Sequence, residues 1–66
     1  MEKITTEYIT LQAFLKLVGA ASTGGEAKIM IQEANILVNG QTELRRGRKL
    51  YPGDVVVVNK RKFVVG

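Results

Sequence analysis

The feature that most constrains this chain is a change of hydrophobic period at Asn35. Before it, apolar residues recur at helical spacing, as Leu11, Phe14, Leu15 and Val18 and then as Ala27, Met30, Ile31 and Ala34. After it they alternate, with Ile36 and Val38 on one side of an extended segment and Asn35 and Leu37 on the other. A chain that switches from period 3.6 to period 2 partway along cannot be a bundle or a pure sheet. It must lay a helical half against a stranded half.

Local chemistry marks the joints. Thr10 can cap the first helix, and Gly19 sits where a left-handed residue would end it. The other face of that helix carries Gln12 and Lys16, one turn apart. Thr23 followed by Glu26 fits a capping box for a second helix, whose Ile29 falls on the face away from the core stripe. Asn39-Gly40 predicts a type I′ hairpin, with Gln41 to Leu44 as the return strand. Leu50 to Asp54 reads as a turn, Val55 to Val58 as a strand buried on both faces, Asn59 to Arg61 as a turn, and Phe63 to Val65 as the closing strand. Lys3 to Tyr8 predicts a short edge strand before the helices. The expected class is α+β: strand, helix, helix and four short strands, with two helices packed on a small antiparallel sheet of four to five short strands.

With 66 residues, the chain is read as one domain, residues 1–66. It has no Cys or His and a single Ser, Ser22, which removes thiol chemistry, His-dependent triads and Cys- or His-ligated zinc. The expectation is a non-enzyme with no cofactor, no metal and no small-molecule substrate. Met1 to Thr6 has no hydrophobic signal core, and no apolar run approaches the ~18 residues of a membrane span. A cytoplasmic protein is expected, monomeric, with dimerisation left open.

Charge is concentrated rather than spread. Met1 to Leu44 carries a balance of −2, whereas Arg45 to Gly66 carries +6. Four of the five residues from Arg45 to Lys49 are cationic, and Lys60-Arg61-Lys62 forms a second knot. Such clustering points to a polyanion partner, with a solvated turn as the plain alternative. The arginines of the first cluster favour forked phosphate contacts.

The stretch from Thr10 to Val58 resembles the αL RNA-binding motif of the ribosomal-protein S-four family. The resemblance lies in Phe14-Leu15-Lys16, Ser22 to Lys28, Ile36-Leu37-Val38-Asn39-Gly40 and Gly53-Asp54-Val55. Phe14 to Leu17, Gly24 to Lys28 and Arg45 to Leu50 are similar, more narrowly, to its small stand-alone YaaA/YbcJ-type members. Where many members open the first helix with Arg-Leu-Asp and the second with Ser-Arg, this chain has Thr10-Leu11-Gln12 and Thr23-Gly24-Gly25. The resemblance implies binding of structured RNA, with ribosomal RNA the first expectation, in ribosome association or assembly.

The residues suggest the same site physically. The start of the second helix, at Thr23, Gly24 and Gly25, offers unpaired amides and the positive end of a helix dipole, an anion seat or simply a capped helix start. Lys28 adds a point charge near that end or is merely solvated, and Lys16 joins the expected RNA-binding set. Arg45, Arg46, Arg48 and Lys49 supply longer-range attraction, and neutralising about four phosphates predicts a salt slope near −3 to −4. Tyr51 either stacks on an unpaired base or covers the edge of the core. Lys60, Arg61 and Lys62 either extend the basic surface or act as a solubility device. Neither helix presents a major-groove reading face. The competing reading is a protein-interaction module that turns the same patch toward an acidic partner.

Overall fold

A computed structural model of the chain describes residues 6–66. Its element order is β1 (Ile9–Thr10), α1 (Leu11–Leu17), α2 (Gly24–Gln32), β2 (Ile36–Val38), β3 (Gln41–Thr42), β4 (Lys49–Leu50), β5 (Val55–Val58) and β6 (Arg61–Val64). The α+β class follows, with the change of period falling where the sequence places it. Among the described residues, six strands form two antiparallel sheets: a four-stranded sheet ordered β3-β2-β5-β6, within the expected four to five, and a separate ribbon β1-β4.

The helix ends follow their local chemistry. Thr10 Oγ1 accepts from Ala13 N at 3.3 Å, and Gly19, at φ +77°, takes the left-handed position past the Val18 cap. Thr23 Oγ1 accepts from Glu26 N at 3.1 Å, while Glu26 reaches back to Ser22 N at 3.4 Å rather than to the cap residue itself. Helix α2 stops at Gln32, so Ala34 is not part of its buried stripe: it is exposed and left-handed, at φ +60°. Asn39 and Gly40 both have positive φ, 51° and 84°, as a type I′ turn requires.

Several strand boundaries differ from expectation. Tyr8 lies just outside β1, which instead comprises Ile9 and Thr10; the Lys3 to Thr5 part of the expected edge strand lies outside the described residues. Leu50, expected in a turn, pairs with Ile9, because burying both side chains against the helices outweighs the turn signals that follow. Arg61 begins β6, so the turn itself is Asn59-Lys60, at φ 48° and 70°.

One core unites the halves: Leu11, Phe14 and Leu15 of α1, Ala27 and Ile31 of α2, Ile36 and Val38 of β2, Leu50, and Val56 and Val58 of β5 are each at most 3% exposed. Phe14 meets Phe63 edge to face at 6.4 Å. Strand β5 is buried on one face only. Val56 and Val58 join the helix residues, while Val55 and Val57 stay half-buried on the side away from them.

The two turns that open and close the sheet are fastened together. Asn39 Nδ2 donates to Asp54 Oδ1 at 3.1 Å, and Val55 N donates to Asn39 Oδ1 at 2.9 Å. Asp54 Oδ2 accepts from Tyr51 N at 2.8 Å. Both motif pairs, Asn39-Gly40 and Gly53-Asp54, therefore serve the fold.

Candidate nucleic-acid interface

The basic segment is shaped by an acid. Glu43, buried to 6% exposure, donates its backbone N–H to Ile36 O at 3.0 Å, the last sheet-like bond before the chain turns away. Its carboxylate then accepts five hydrogen bonds: Leu44 N, Arg45 N and Arg45 Nε on Oε2, and Arg45 Nη2 and Arg48 Nη1 on Oε1. Capturing the amides of the next two residues stops β3 at Thr42, short of the return strand expected to reach Leu44. The Arg48 contact is short, 2.6 Å, as a charge-assisted bond should be.

Hydrogen bonds from the Arg45 and then the Arg48 side chain hold the Glu43 pKa down to about 2, against an opposing push from burial. The same pairing raises the pKa of Arg45. Glu43 is thus an ionised organiser of the loop. It also neutralises part of the charge: of four loop cations, two share this carboxylate.

The loop is braced from behind by α1. Arg48 O accepts from Leu11 N at 2.8 Å and Arg46 O from Gln12 N at 3.0 Å, satisfying helix-start amides that have no partner within the helix. Gln12 reaches onward, its Nε2 donating to Gly24 O at 3.0 Å. One residue therefore ties the backbone of the basic loop to the first turn of α2.

The basic loop and the start of α2 consequently lie on the same side of the molecule. A groove of about 420 Å³ runs between the loop and the middle and far end of α2, with Lys28 and Gln32 on the α2 wall and Leu44, Arg45 and Arg46 on the other. Arg45 retains 74% side-chain exposure and Arg48 33%. Lys28 is exposed, as is Lys16, one turn along α1 from Gln12.

The expected open helix tip takes another form. Thr23 is occupied as the cap, and the space beside Gly24 belongs to Gln12: a methyl placed there would come within 2.8 Å of Gln12 Nε2. The glycine admits a side chain of the protein itself. Gly25 remains exposed, with only Thr23 Oγ1 near its missing side chain, at 3.9 Å.

Tyr51 does not cover the core edge. It is 45% exposed and rests beside Tyr8, with ring centroids 6.1 Å apart. The second cationic knot is divided: Lys60 occupies the turn, Arg61 lies over the Phe63 ring at 5.1 Å, and Lys62 follows Arg61 on the opposite face of β6. Glu43, Gln12 and Tyr8 stand outside the site expected from the sequence. For Glu43 a signal existed, an acid two and five residues ahead of two of the arginines.

Comparison with known proteins agrees with this architecture. A protein of Bacillus subtilis (strain 168) named "Probable ribosome maturation protein RlbA" is 53% identical over 55 residues, covering 83% of this chain and 78% of its own. The crystal structure of the 30S ribosomal protein S4e from Thermoplasma acidophilum superposes with a TM-score of 0.68 over 91% of this chain at 19% identity, a likeness of fold. This chain spans only 32% of that ribosomal protein. A family model described as S4 domain matches residues 2–66, so the chain belongs to the S4 domain family.

Proposed function

We propose that this protein is a non-catalytic binder of structured RNA, with ribosomal RNA as its target and ribosome maturation as its setting. One observation carries the reading: a cationic loop, folded around Glu43 and braced by α1, faces Lys28 across a groove. A preformed concave surface of this kind loses little conformational entropy on meeting a phosphate chain. The groove suits the irregular backbone of folded RNA, where shape and phosphate position dominate recognition. The name of the Bacillus subtilis relative supports the ribosomal setting. The reading takes the chain as one domain acting in the cytoplasm. Among the described residues, no helix is long and apolar enough to cross a membrane.

Phosphate contacts come from Arg45, Arg46, Arg48 and Lys49, with Lys28 and Lys16 on the helices; of the expected helix tip, Gly25 is the open position, Thr23 and Gly24 being taken up by the cap and Gln12. Because Glu43 offsets one of the four loop charges, the loop itself accounts for a salt slope of about −2 to −3.

The decisive variant is the pair Lys28→Ala and Arg46→Ala, whose side chains take no part in the Glu43 network. We expect roughly tenfold weaker binding to a ribosomal RNA fragment at low salt and a slope shallower by about one to two, with an unchanged melting curve. Equal affinity of the wild type for the fragment and for duplex DNA at matched salt would overturn the reading. So would cellular complexes that survive ribonuclease, the outcome an acidic protein partner predicts.

A further inference from the structure

The short ribbon β1-β4 leaves two aromatic rings exposed beside the basic loop. Its register pairs Ile9 with Leu50 and Thr10 with Lys49, and one step further sets Tyr8 opposite Tyr51. Alternation sends Ile9 and Leu50 inward, onto the core. Tyr8, Lys49 and Tyr51 therefore share the outward face, and both rings are substantially exposed, 39% and 45%.

These three side chains form one assembly. The ring planes stand 48° apart, and Lys49 Nζ lies 4.9 Å from the Tyr8 centroid. Tyr51 is held at its backbone by Asp54, which receives its N–H on Oδ2 at 2.8 Å and returns an N–H to its carbonyl at 3.0 Å. Immediately alongside, Arg45, Gly47, Arg48 and Lys49 line a second concavity of about 480 Å³. An exposed aromatic pair, fixed in place at the rim of a cationic hollow, matches the chemistry of a nucleotide, with a flat base on one side and a phosphate on the other.

We propose that Tyr8, Tyr51 and Lys49 form a platform for one unpaired nucleobase, whose flanking phosphates lie on Arg45 and Arg48. The inference rests on the RNA-binding reading above and narrows its substrate class to RNA with an extruded base. Bases within an A-form helix keep their faces stacked, so only a bulged, looped or terminal nucleotide can reach the platform. Stacking accepts any base, since every base has a π face. The platform therefore selects for an unpaired position and not for base identity.

The test uses the full chain with two RNA hairpins, one carrying a single bulged 2-aminopurine and one fully paired. The bulged hairpin should bind roughly tenfold more tightly, the scale of one base–aromatic stack, and its fluorescence should be quenched on binding. Tyr51→Ala and Tyr8→Ala should each abolish most of that preference and the quench, leaving affinity for the paired hairpin and its salt slope unchanged. Tyr51→Phe and Tyr8→Phe should retain both. Equal affinity of the wild type for the two hairpins, with strong salt dependence, would overturn the platform and leave the RNA reading standing. No binding to either hairpin would overturn both. Preference and quench that persist in a folded Tyr51→Ala variant would place the base elsewhere and sink the proposal.

Discussion

Asp54 and Glu43 each gather a turn around a carboxylate, but the company they keep differs. Asp54 accepts from the neutral amides of Tyr51 and Asn39, so its hydrogen bonds fasten two turns of the sheet and engage no cation. Glu43 accepts from two backbone amides and from two arginines. Its partners are the same groups that would meet a phosphate. The first carboxylate fastens turns, that of Tyr51 among them, without touching a cation; the second builds the binding loop and competes with the ligand for it. Charge on a surface is thus a poor guide to binding strength until its internal partners are known.

That contrast can be broken most forcefully at the clasp. Replacing Asp54→Ala removes two hydrogen bonds and should cost about 2 kcal/mol, a large share of the roughly 3–10 kcal/mol expected for a chain of this size. Urea unfolding measures it, and the RNA salt slope of the folded variant should match the wild type. A slope that moved with Asp54 would erase the distinction between the two carboxylates.

Glu43→Gln sharpens the comparison. The neutral amide still accepts some of the loop's hydrogen bonds but forfeits the charge the arginines favour, so stability at neutral pH should fall by about 2 kcal/mol. Arg45 and Arg48 are released, and RNA binding at low salt should become tighter with a steeper slope; weaker binding would mean that holding the loop in shape outweighs competition for it. Acid provides an independent check. Because the folded Glu43 pKa lies near 2, below its ordinary value of 4.5, the stabilisation it provides is complete above about pH 4.5 and is lost as pH falls toward 2. Unfolding monitored across that range should show an acid limb that Glu43→Gln flattens.

The smallest effect is expected at Gly24→Ala. The added methyl would crowd Gln12 Nε2, the movable end of a side chain, so the Gln12 to Gly24 bond loosens while better helix propensity offsets the loss. A melting temperature within a few degrees of wild type is expected. A severe loss would show that the link from the basic loop to α2 is rigid.

Much of the fold could be read from local signals, since those signals act over a few residues. Thr10, Thr23 and Gly19 set helix ends through hydrogen bonds and backbone angles decided within one turn. Asn39-Gly40 likewise sets its own hairpin. The misread boundaries have distant causes. Leu50 becomes a strand residue because Ile9, far away in sequence, lies across from it in the ribbon. Glu43 ends β3 by turning back onto arginines that follow it, a preference that strand propensity does not encode.

For the site, composition located the cationic segment and the family pattern located the helices beside it, and both segments do lie on one side of the molecule. Their joint is Gln12, a residue that reads as an ordinary polar position on an exposed helical face. The sequence by itself determined the α+β class, the helix caps, the hairpin and the concentration of positive charge, because each depends on hydrophobic period, backbone conformation or net charge within a short window. Only tertiary structure decided how much of that charge is already paired, that Gly24 makes room for Gln12, and that Tyr8 meets Tyr51. Those outcomes depend on contacts between side chains brought together from different elements, and such contacts exist only once the chain has closed around its core.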